Sequence, residues 1–371
     1  MTTLSTLHFV FACSDSQTVE THVLDPKAPI SEIRLEGVWV VEQDGTTMLN
    51  PQSSGLSADE NYIYSLSDAS ADESQVRRLH LFNPESAEVI KKIPITDYQD
   101  IVVNSCFYTY LNGMPDFEAM VRHPLLQNHW IWVTEDATRG EPLTPECAQQ
   151  YANSGSTDYP SLLVLLKQHD DHLSVESVRP VQFDVNDNMG NFPNDGIEGL
   201  AVTKDARLLL GVEKDANTQP RVFEVQLTAE TFSTTDFLPV KDAELDIPTF
   251  DAGNHPINGM DTYYASDEQG YLIAAARNDN ELWIIDLNKK KPTVILPLVF
   301  YAPSLGEGCE PMHLMDNASL EGVAVHGDTL YLINDPWKRN YHKNATCEGN
   351  LALYQRFSPL LFKLKIQNEW F

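Results

Sequence analysis

The stretch NDGIEGLAVTKDARLLLGVEKD, residues 194–215, contains two short apolar runs that are joined by a polar segment and bracketed by acids. LAV and LLLGV have the composition of buried strands, and TKDAR between them has the polar residues of a hairpin turn. Glu198 stands just before the first strand, and Glu213 follows the second. A hairpin of this kind decides the fold if it recurs along the chain.

The hairpin recurs in five units. Each unit has a polar anchor, a small residue, a short strand, a turn, a second apolar strand and a closing polar residue. The anchors are Ser54, Glu118, Glu198, Asn258 and Glu321. A third strand with alternating apolar residues follows in the segments RRLHLF, LLVLLK, RVFEVQL, ELWIIDL and LLFKLKI, and a fourth follows in four units. Four strands per unit, repeated radially, are typical of a β-propeller.

The sequence therefore predicts an all-β protein with the fold of a β-propeller of five blades. The last unit ends after LLFKLKI without a fourth strand, whereas ISEIRLEGVWVVE near the N-terminus has a strand without a unit. We expect this N-terminal strand to close the last blade. Six blades are the alternative, if residues 1–50 and the insertion at 136–160 hold another. No linker divides residues 14–371, which predicts a single propeller domain.

The charge balance excludes some classes of partner. The chain has 54 Asp and Glu against 25 Lys and Arg, a net charge of −29. A protein whose main partner is nucleic acid needs a basic footprint, so we expect no nucleic acid partner. The GxSxG, Walker A, GxGxxG and HExxH motifs are absent from the sequence, which argues against serine hydrolase, nucleotide-binding and zincin functions. We expect a monomer.

The N-terminus and the cysteines bear on the compartment. The apolar segment Leu4 to Ala12 followed by Cys13 resembles the end of a bacterial lipoprotein signal, although no Lys or Arg precedes it. We expect residues 1–13 to be a truncated signal, with a lipid anchor at Cys13 as the membrane attachment. The alternative is an ordinary first strand with a buried cysteine.

The other four cysteines allow the sequence-near disulfides Cys106–Cys147 and Cys309–Cys347, or four free thiols in a cytoplasmic protein. Disulfides fit a location in the bacterial periplasm or cell envelope, or secretion.

Propeller geometry brings the polar residues of the five units together. The start of the innermost strand and the end of the second strand lie on the same face, so the anchors form a ring around the channel mouth. Asp68, Glu135, Glu213, Asn278 and Asp335 form a second ring. Carboxylate and amide oxygens are ligands of Ca²⁺. The sequence predicts a calcium site at Glu118, Glu198, Asn258 and Glu321. The alternative is that each glutamate caps backbone N–H groups at a turn.

Cations and proton acceptors complete the predicted site. Lys214, Arg277 and Lys338 follow second strands and are the candidate ligands of a small anionic substrate. Glu213, Glu135 and His313 are the candidate catalytic proton acceptors. For each cation the alternative is an ordinary surface ion pair, and for His313 it is a loop histidine without a catalytic part.

These units resemble a known family. SSGLSADENYIYSLSDAS, DFEAM…WIWVTED and DGIEGLAV…LLLGVEKD are similar to the motifs of the phytase-like ("esterase-like activity of phytase") propellers. The acidic mouth is distantly similar to that of calcium-dependent lactonase propellers. The resemblance implies a secreted or lipid-anchored bacterial propeller with phosphoester or ester hydrolysis. Ser54 and Asn258 stand where the family pattern has acids, and few Lys and Arg are present for a polyphosphorylated inositol.

Two functions follow as predictions. The first is an exported, calcium-binding propeller that acts as a metal-dependent hydrolase on phosphoester or ester and lactone substrates. The alternative is a non-catalytic envelope propeller whose calcium is structural and whose acidic face binds a protein or glycan.

Overall fold

The strands of the protein form consecutive antiparallel groups of four. A computed structural model describes residues 31–135, 142–191, 196–306 and 308–371. Residues 1–13, Cys13 and part of the 136–160 insertion, on which several predictions fall, lie outside these ranges. Residues 31–371 make up one compact unit. Among the described residues, no helix combines the length and apolarity that a membrane crossing requires.

The first strand, β1 (Ile33–Trp39), is followed by two complete groups. Blade 1 consists of β2 (Ser53–Ala58), β3 (Ile63–Ser67), β4 (Arg78–Phe82) and β5 (Val89–Tyr98), and blade 2 of β6 (Phe117–Arg122), β7 (His129–Thr134), β8 (Leu162–Gln168) and β9 (Leu173–Gln182). Short helices lie in their connections: α1 (Asp100–Val103), α2 (Tyr108–Asn112) and α3 (Pro145–Gln150).

Three more groups follow. Blade 3 consists of β10 (Ile197–Val202), β11 (Arg207–Val212), β12 (Arg221–Gln226) and the two-residue β14 (Lys241–Asp242). The two-residue strand before β14 is β13 (Leu238–Pro239), and it pairs in parallel with β9 of blade 2. Blade 4 consists of β15 (Ile257–Tyr264), β16 (Gly270–Ala276), β17 (Glu281–Asp286) and β18 (Val294–Pro303), with β19 (Met312–Leu314) beside β18. Blade 5 consists of β20 (Leu320–His326), β21 (Thr329–Asn334), β22 (Leu360–Lys365) and β1, with helix α4 (Glu348–Gln355) before β22.

The chain is thus an all-β propeller, and we number the five groups of described strands as blades 1–5. The N-terminal strand closes the last blade as predicted, because Gly37, Val38 and Trp39 pair antiparallel with β22. The first half of β1 also pairs in parallel with β18 of blade 4. The same strand therefore joins two blades and holds the ring closed.

The core lies between neighbouring blades. Trp130, Trp132 and Trp283 are fully buried in these layers, where alternate side chains of one sheet pack against the next. Disulfides join Cys106 to Cys147 and Cys309 to Cys347, which confirms the sequence-near pairing. The first ties the α1–α2 connection to α3, and the second ties the loop after β18 to the start of α4.

Candidate functional site

The three ring glutamates are the unpaired residues of β-bulges. The pairing of each innermost strand with its neighbour skips from Phe117 to Ala119, from Ile197 to Gly199 and from Leu320 to Gly322. Glu118, Glu198 and Glu321 are the residues skipped. The extra residue of a bulge has no partner on the neighbouring strand, and its side chain points in a different direction from that of a regular strand residue. The same irregularity in β15 skips Asn258 and Gly259.

Blade 1 departs from this pattern. Ser54 is paired with Leu66, and the skipped residue is Gly55, whose φ is +60°. Because glycine has no side chain to present, blade 1 contributes no ligand atom from its bulge. Ser54 is buried, and it lies in a regular strand position.

A ring of small residues follows the anchors: Gly55, Ala119, Gly199, Gly259 and Gly322. Here the innermost strands of neighbouring blades approach closely. A Cβ added at Gly259 would lie 2.6 Å from the carbonyl oxygen of Glu321 in blade 5, and one at Gly55 would lie 3.0 Å from Cα of Ala119 in blade 2. The small residue of the repeated motif is therefore required by the narrow waist of the propeller.

The residues that follow the second strands lie at equivalent places. Four residues at the ends of second strands donate a backbone N–H to the carbonyl of the residue just before the innermost strand of the same blade, at 2.8–3.1 Å. They are Asp68, Glu135, Glu213 and Asp335. Those carbonyls belong to Gln52, Asp116, Gly196 and Ser319. The repeated bond shows that these four acids occupy one structural position in four blades.

These acids and the ring glutamates form one cluster, which we call the acidic centre. Its members are Asp68, Asp116, Glu118, Glu135, Glu198, Glu213, Glu321 and Asp335. Burial raises the pKa of Glu118 well above its usual range, and the nearby carboxylates of Glu198, Asp116, Glu135 and Asp68 raise it further. Burial also raises the pKa of Glu198, with added repulsion from Glu213, Glu135 and Glu321.

Two of the outer acids, Asp68 and Asp335, also have raised pKa values. Burial raises the pKa of Asp68 to about 7, and repulsion from Asp116 adds to it. Burial also raises the pKa of Asp335 well above its usual range, and Asp68 and Glu321 contribute. The acidic centre therefore holds more negative charge than its surroundings stabilise.

Arg277 compensates one side of the acidic centre. Its guanidinium donates to Glu321 and, at 3.1 Å, to Glu213. Burial lowers the pKa of Arg277, but the carboxylates of Glu321, Glu213, Glu198 and Asp335 outweigh burial and raise it. Burial raises the pKa of Glu321 to about 7 in spite of the guanidinium. The sequence predicts Asn278 at the outer ring position of blade 4. In the structure the side-chain amide of Asn278 donates to the carbonyl of Asn254 at 2.9 Å.

Three other acids of the centre, Asp116, Glu118 and Glu135, are close enough together to hold a cation. One carboxylate oxygen each of Asp116, Glu118 and Glu135 lies within 4.8 Å of the others. Asp116 was not among the predicted ligands, although it stands two residues before Glu118 in the DFEAM segment. Of the predicted metal ligands, Glu118 belongs to this group and Glu321 is bound by Arg277. Glu198 interacts electrostatically with both Glu135 and Arg277.

Two buried oxygen atoms in the acidic centre lack a hydrogen-bond donor among the described residues. They are Oδ1 of Asn258 and Oδ1 of Asp335. The amide nitrogen of Asn258 lies 3.5 Å from Glu213, so its oxygen is the atom left over. Both oxygens are therefore candidate partners of a donor or a cation.

The predicted substrate cations lie at two edges of the acidic centre. Lys338 donates to the carbonyl of Ser70. Its charge partly offsets the rise that burial causes in the pKa values of Asp68 and Asp335. Lys214 lines a small cavity with Gly196 and Ser161, next to Glu135. The structure thus brings Lys338 and Arg277 to the acidic centre itself, and Lys214 to a cavity beside it.

His313 is engaged elsewhere. It lies on β19, where Nε2 is 2.5 Å from the hydroxyl of Tyr354 and Nδ1 is 3.1 Å from Oγ of Ser304. Burial lowers the pKa of His313. These contacts fix both ring nitrogens, and they involve no member of the acidic centre.

Comparisons with known proteins find only distant likeness. Neither a protein-family model nor a curated protein matches the chain. A GH43 β-1,3-galactosidase is 9% identical with a TM-score of 0.45, over 90% of this chain and 95% of that one. A mannose phosphorylase from Leishmania mexicana is 10% identical with a TM-score of 0.42, over 90% and 89%. A luciferin-regenerating enzyme is 12% identical with a TM-score of 0.39, over 85% and 78%. Likeness at this level says nothing of the activity of the chain.

Proposed function

We propose that the acidic centre binds Ca²⁺ and that the protein is a calcium-dependent hydrolase of phosphoester or of ester and lactone substrates. Asp116, Glu118 and Glu135 would hold the ion, with Glu198 and the free oxygen of Asn258 toward the Arg277 side. Hard cations take six to eight oxygen ligands of these types. The observation that carries the proposal is the group formed by Asp116, Glu118 and Glu135, which each place a carboxylate oxygen within 4.8 Å of the others.

The chemistry follows from the residues around this position. A bound calcium ion would polarise a phosphoryl or carbonyl oxygen. Lys338 and Lys214 lie at the edges, where they would orient an anionic group. Glu213, whose carboxylate contacts Arg277 at 3.1 Å, would be the proton acceptor for an attacking water. His313 would support the fold of this region rather than transfer protons.

A non-catalytic role has its own observation. Glu118, Glu198 and Glu321 are only 9%, 8% and 5% exposed, and Asn258 is fully buried. A cation enclosed to this degree would keep few open positions for substrate, as in a structural site. The alternative function is an envelope protein that binds a protein or glycan. The two disulfides are consistent with an extracytoplasmic protein, and we propose the periplasm or cell envelope for either role.

A thermal-shift titration tests calcium binding. We expect Ca²⁺ to raise the Tm of the EDTA-treated protein at pH 8, and Glu118→Gln to abolish most of that rise. Glu224→Gln is the matched control, since Glu224 is equally buried at 8% but pairs with Arg207 and Lys241 away from the acidic centre. Its variant should lose stability and keep the response to Ca²⁺. Absence of a response in the wild type would refute the calcium proposal.

Hydrolysis assays then separate the enzyme from the binding protein. We would measure release of p-nitrophenol from its phosphate, phosphodiester and acetate esters, and opening of simple lactones, with and without Ca²⁺. Calcium-dependent turnover that Glu118→Gln removes supports the hydrolase. Calcium binding without turnover of any of these substrates supports the binding role.

A further inference from the structure

A second cavity lies beside the acidic centre in blade 5. It has a volume of about 200 Å³ and lies between the loop that precedes β20 and the segment that follows β21. Asp316, Trp337, Asn340 and Lys343 line it, and Tyr341 forms part of its wall. The side chain of Trp337 is 48% exposed, which is unusual for so large an apolar group. We call this cavity the Trp337 cleft.

The wall of the Trp337 cleft is fixed by internal hydrogen bonds. The side-chain oxygen of Asn344 accepts the N–H of Asp316 at 2.9 Å, and that of Asn317 accepts the N–H of Ser319 at 2.6 Å. The hydroxyl of Tyr341 donates to the carbonyl of Ser358 at 2.7 Å. The cleft is therefore preformed, and a ligand would not have to order these residues on binding.

His313 has a place in this support. Its Nε2 contacts the hydroxyl of Tyr354, and the Tyr354 ring packs edge-on against Tyr341 with centroids 4.9 Å apart. The disulfide Cys309–Cys347 ties the same loop to α4. The contacts that remove His313 from the acidic centre thus stabilise the wall of the cleft.

Two groups in the Trp337 cleft remain available to a ligand. The carboxylate of Asp316 and the indole N–H of Trp337 have no hydrogen-bond partner within the described part of the chain. Lys343 supplies a donor, and its ammonium already contacts Asn340 at 2.5 Å. Asp316 only accepts hydrogen bonds and Lys343 only donates them.

The mixture of groups selects one chemical class. An anion would be repelled by Asp316, and a cation would be repelled by Lys343. A hydrocarbon would leave both charged groups without partners, which is unfavourable. A neutral sugar ring has hydroxyls that both donate and accept, and an apolar C–H face that can lie against the indole. We infer that the Trp337 cleft binds the pyranose ring of a neutral sugar unit.

The cleft and the acidic centre share one segment of chain. The N–H of Trp337 donates to the carbonyl of Asp335 at 2.8 Å, and the N–H of Asp335 donates to the carbonyl of Ser319 at 2.8 Å. The residue that would hold the sugar, Trp337, is thus linked through its backbone to Asp335 of the acidic centre, and Ser319 belongs to both the cleft wall and this link. The inference deepens the proposed function, on which it rests for the idea that the sugar carries the ester or phosphoester; sugar binding itself does not require the cation.

Saturation-transfer difference NMR tests the inference. The probes are the methyl glycosides of glucose, galactose, mannose and N-acetylglucosamine, mixed with the full chain in EDTA. We expect ring-proton saturation for at least one glycoside, and binding about tenfold weaker in Trp337→Ala, the effect of losing one aromatic contact. Asp316→Asn should also weaken binding. Leu351→Ala, which removes an exposed apolar side chain of α4, is the control and should bind normally.

The outcomes separate this inference from the proposed function. Saturation that Trp337→Ala removes supports the cleft even if Ca²⁺ gives no thermal shift. Saturation that persists unchanged in Trp337→Ala, or its absence for every glycoside, overturns the inference whatever Ca²⁺ does. Circular dichroism of Trp337→Ala at the NMR temperature checks that the variant is folded.

Discussion

Replacement of Arg277 by methionine is the sharpest perturbation of the acidic centre. Methionine keeps much of the side-chain length and removes the charge that Glu213 and Glu321 share. Both carboxylates are 6% exposed, and the Arg277 side chain is 26% exposed. The variant leaves two buried carboxylates without their counter-ion, among neighbours that already repel them.

The magnitude follows from the burial of this pair. Removal of one partner of a buried ion pair costs about 3–5 kcal/mol, and the partial exposure of Arg277 places the loss near the lower value, about 3 kcal/mol at pH 8. With an unfolding entropy of about 2.1 cal/mol/K per residue, residues 31–371 give roughly 0.7 kcal/mol/K in total. We therefore expect the Tm of Arg277→Met to fall by about 4 °C at pH 8 in EDTA.

The pH dependence has a definite sign. Burial raises the pKa of Glu321 to about 7 in the folded protein, so its interaction with Arg277 is present above that pH and is lost as the pH falls through it. At pH 5 the Glu321 carboxyl is protonated with or without Arg277, so the difference in Tm between Arg277→Met and wild type should be smaller than at pH 8. Differential scanning calorimetry at pH 5 and pH 8 measures both values.

Arg207→Met is the matched control. The Arg207 side chain is 30% exposed and also pairs with two carboxylates, those of Asp205 and Glu224, outside the acidic centre. The Asp205 side chain is 63% exposed. Burial raises the pKa of Asp205, but hydrogen bonds from Thr203 and Arg207 outweigh burial and lower it. We expect a loss of about 1 kcal/mol that is the same at pH 5 and pH 8. Equal, pH-independent losses in both variants would refute the account of the acidic centre.

Two further predictions concern the ring itself. Gly259→Ala places a Cβ against the carbonyl oxygen of Glu321. The control is Gly327→Ala, whose added Cβ meets nothing within 4 Å and adds only turn strain of about 1 kcal/mol. We expect the free energy of unfolding, measured in urea, to fall more for Gly259→Ala than for Gly327→Ala. Truncation of residues 1–41 removes β1 from its pairings with β18 and β22, so we expect faster amide hydrogen exchange in β22 than in β11, and equal protection of both strands would contradict ring closure by β1.

Much of the fold could be predicted because the unit repeats. Alternating apolar residues identify strands, and the unmatched strand at residues 33–39 has one vacant place in the last unit. Blade 3 was harder: in its sequence unit the segment TFSTTDFLPV, residues 231–240, has the pattern of the fourth strand, but its β13 pairs with blade 2, and the strand that pairs with β12 is the short β14 directly after this segment. Pairing between blades leaves no periodic signal in the sequence, so such an exchange is seen only in the structure.

The site was less predictable because side-chain direction depends on pairing details. Arg277 and Asn278 are neighbours at the end of β16, and sequence position alone does not decide which of them faces the channel. The same applies to Asp116, which precedes the strand that carries Glu118. Its signal was present in the DFEAM segment as a second acid two residues away, but strand alternation alone did not indicate that both acids share one cation-sized space.

The acidic residues of the motif have two explanations, and the contacts distinguish them. A glutamate at a blade turn can cap backbone N–H groups, and other acids of the centre do so. Asp68 accepts the N–H of Ser70 at 2.6 Å, Asp116 that of Ala69 at 2.8 Å, and Glu135 that of Gly196 at 3.4 Å. The ring glutamates accept no backbone hydrogen bond within the described residues, where Glu321 contacts Arg277 and Asn258.

A carboxylate that caps nothing, lies on a bulge and repels its neighbours lowers the stability of the fold. At Glu321 the guanidinium of Arg277 offsets this cost, whereas for Glu118 and Glu198 we propose that the calcium ion does so.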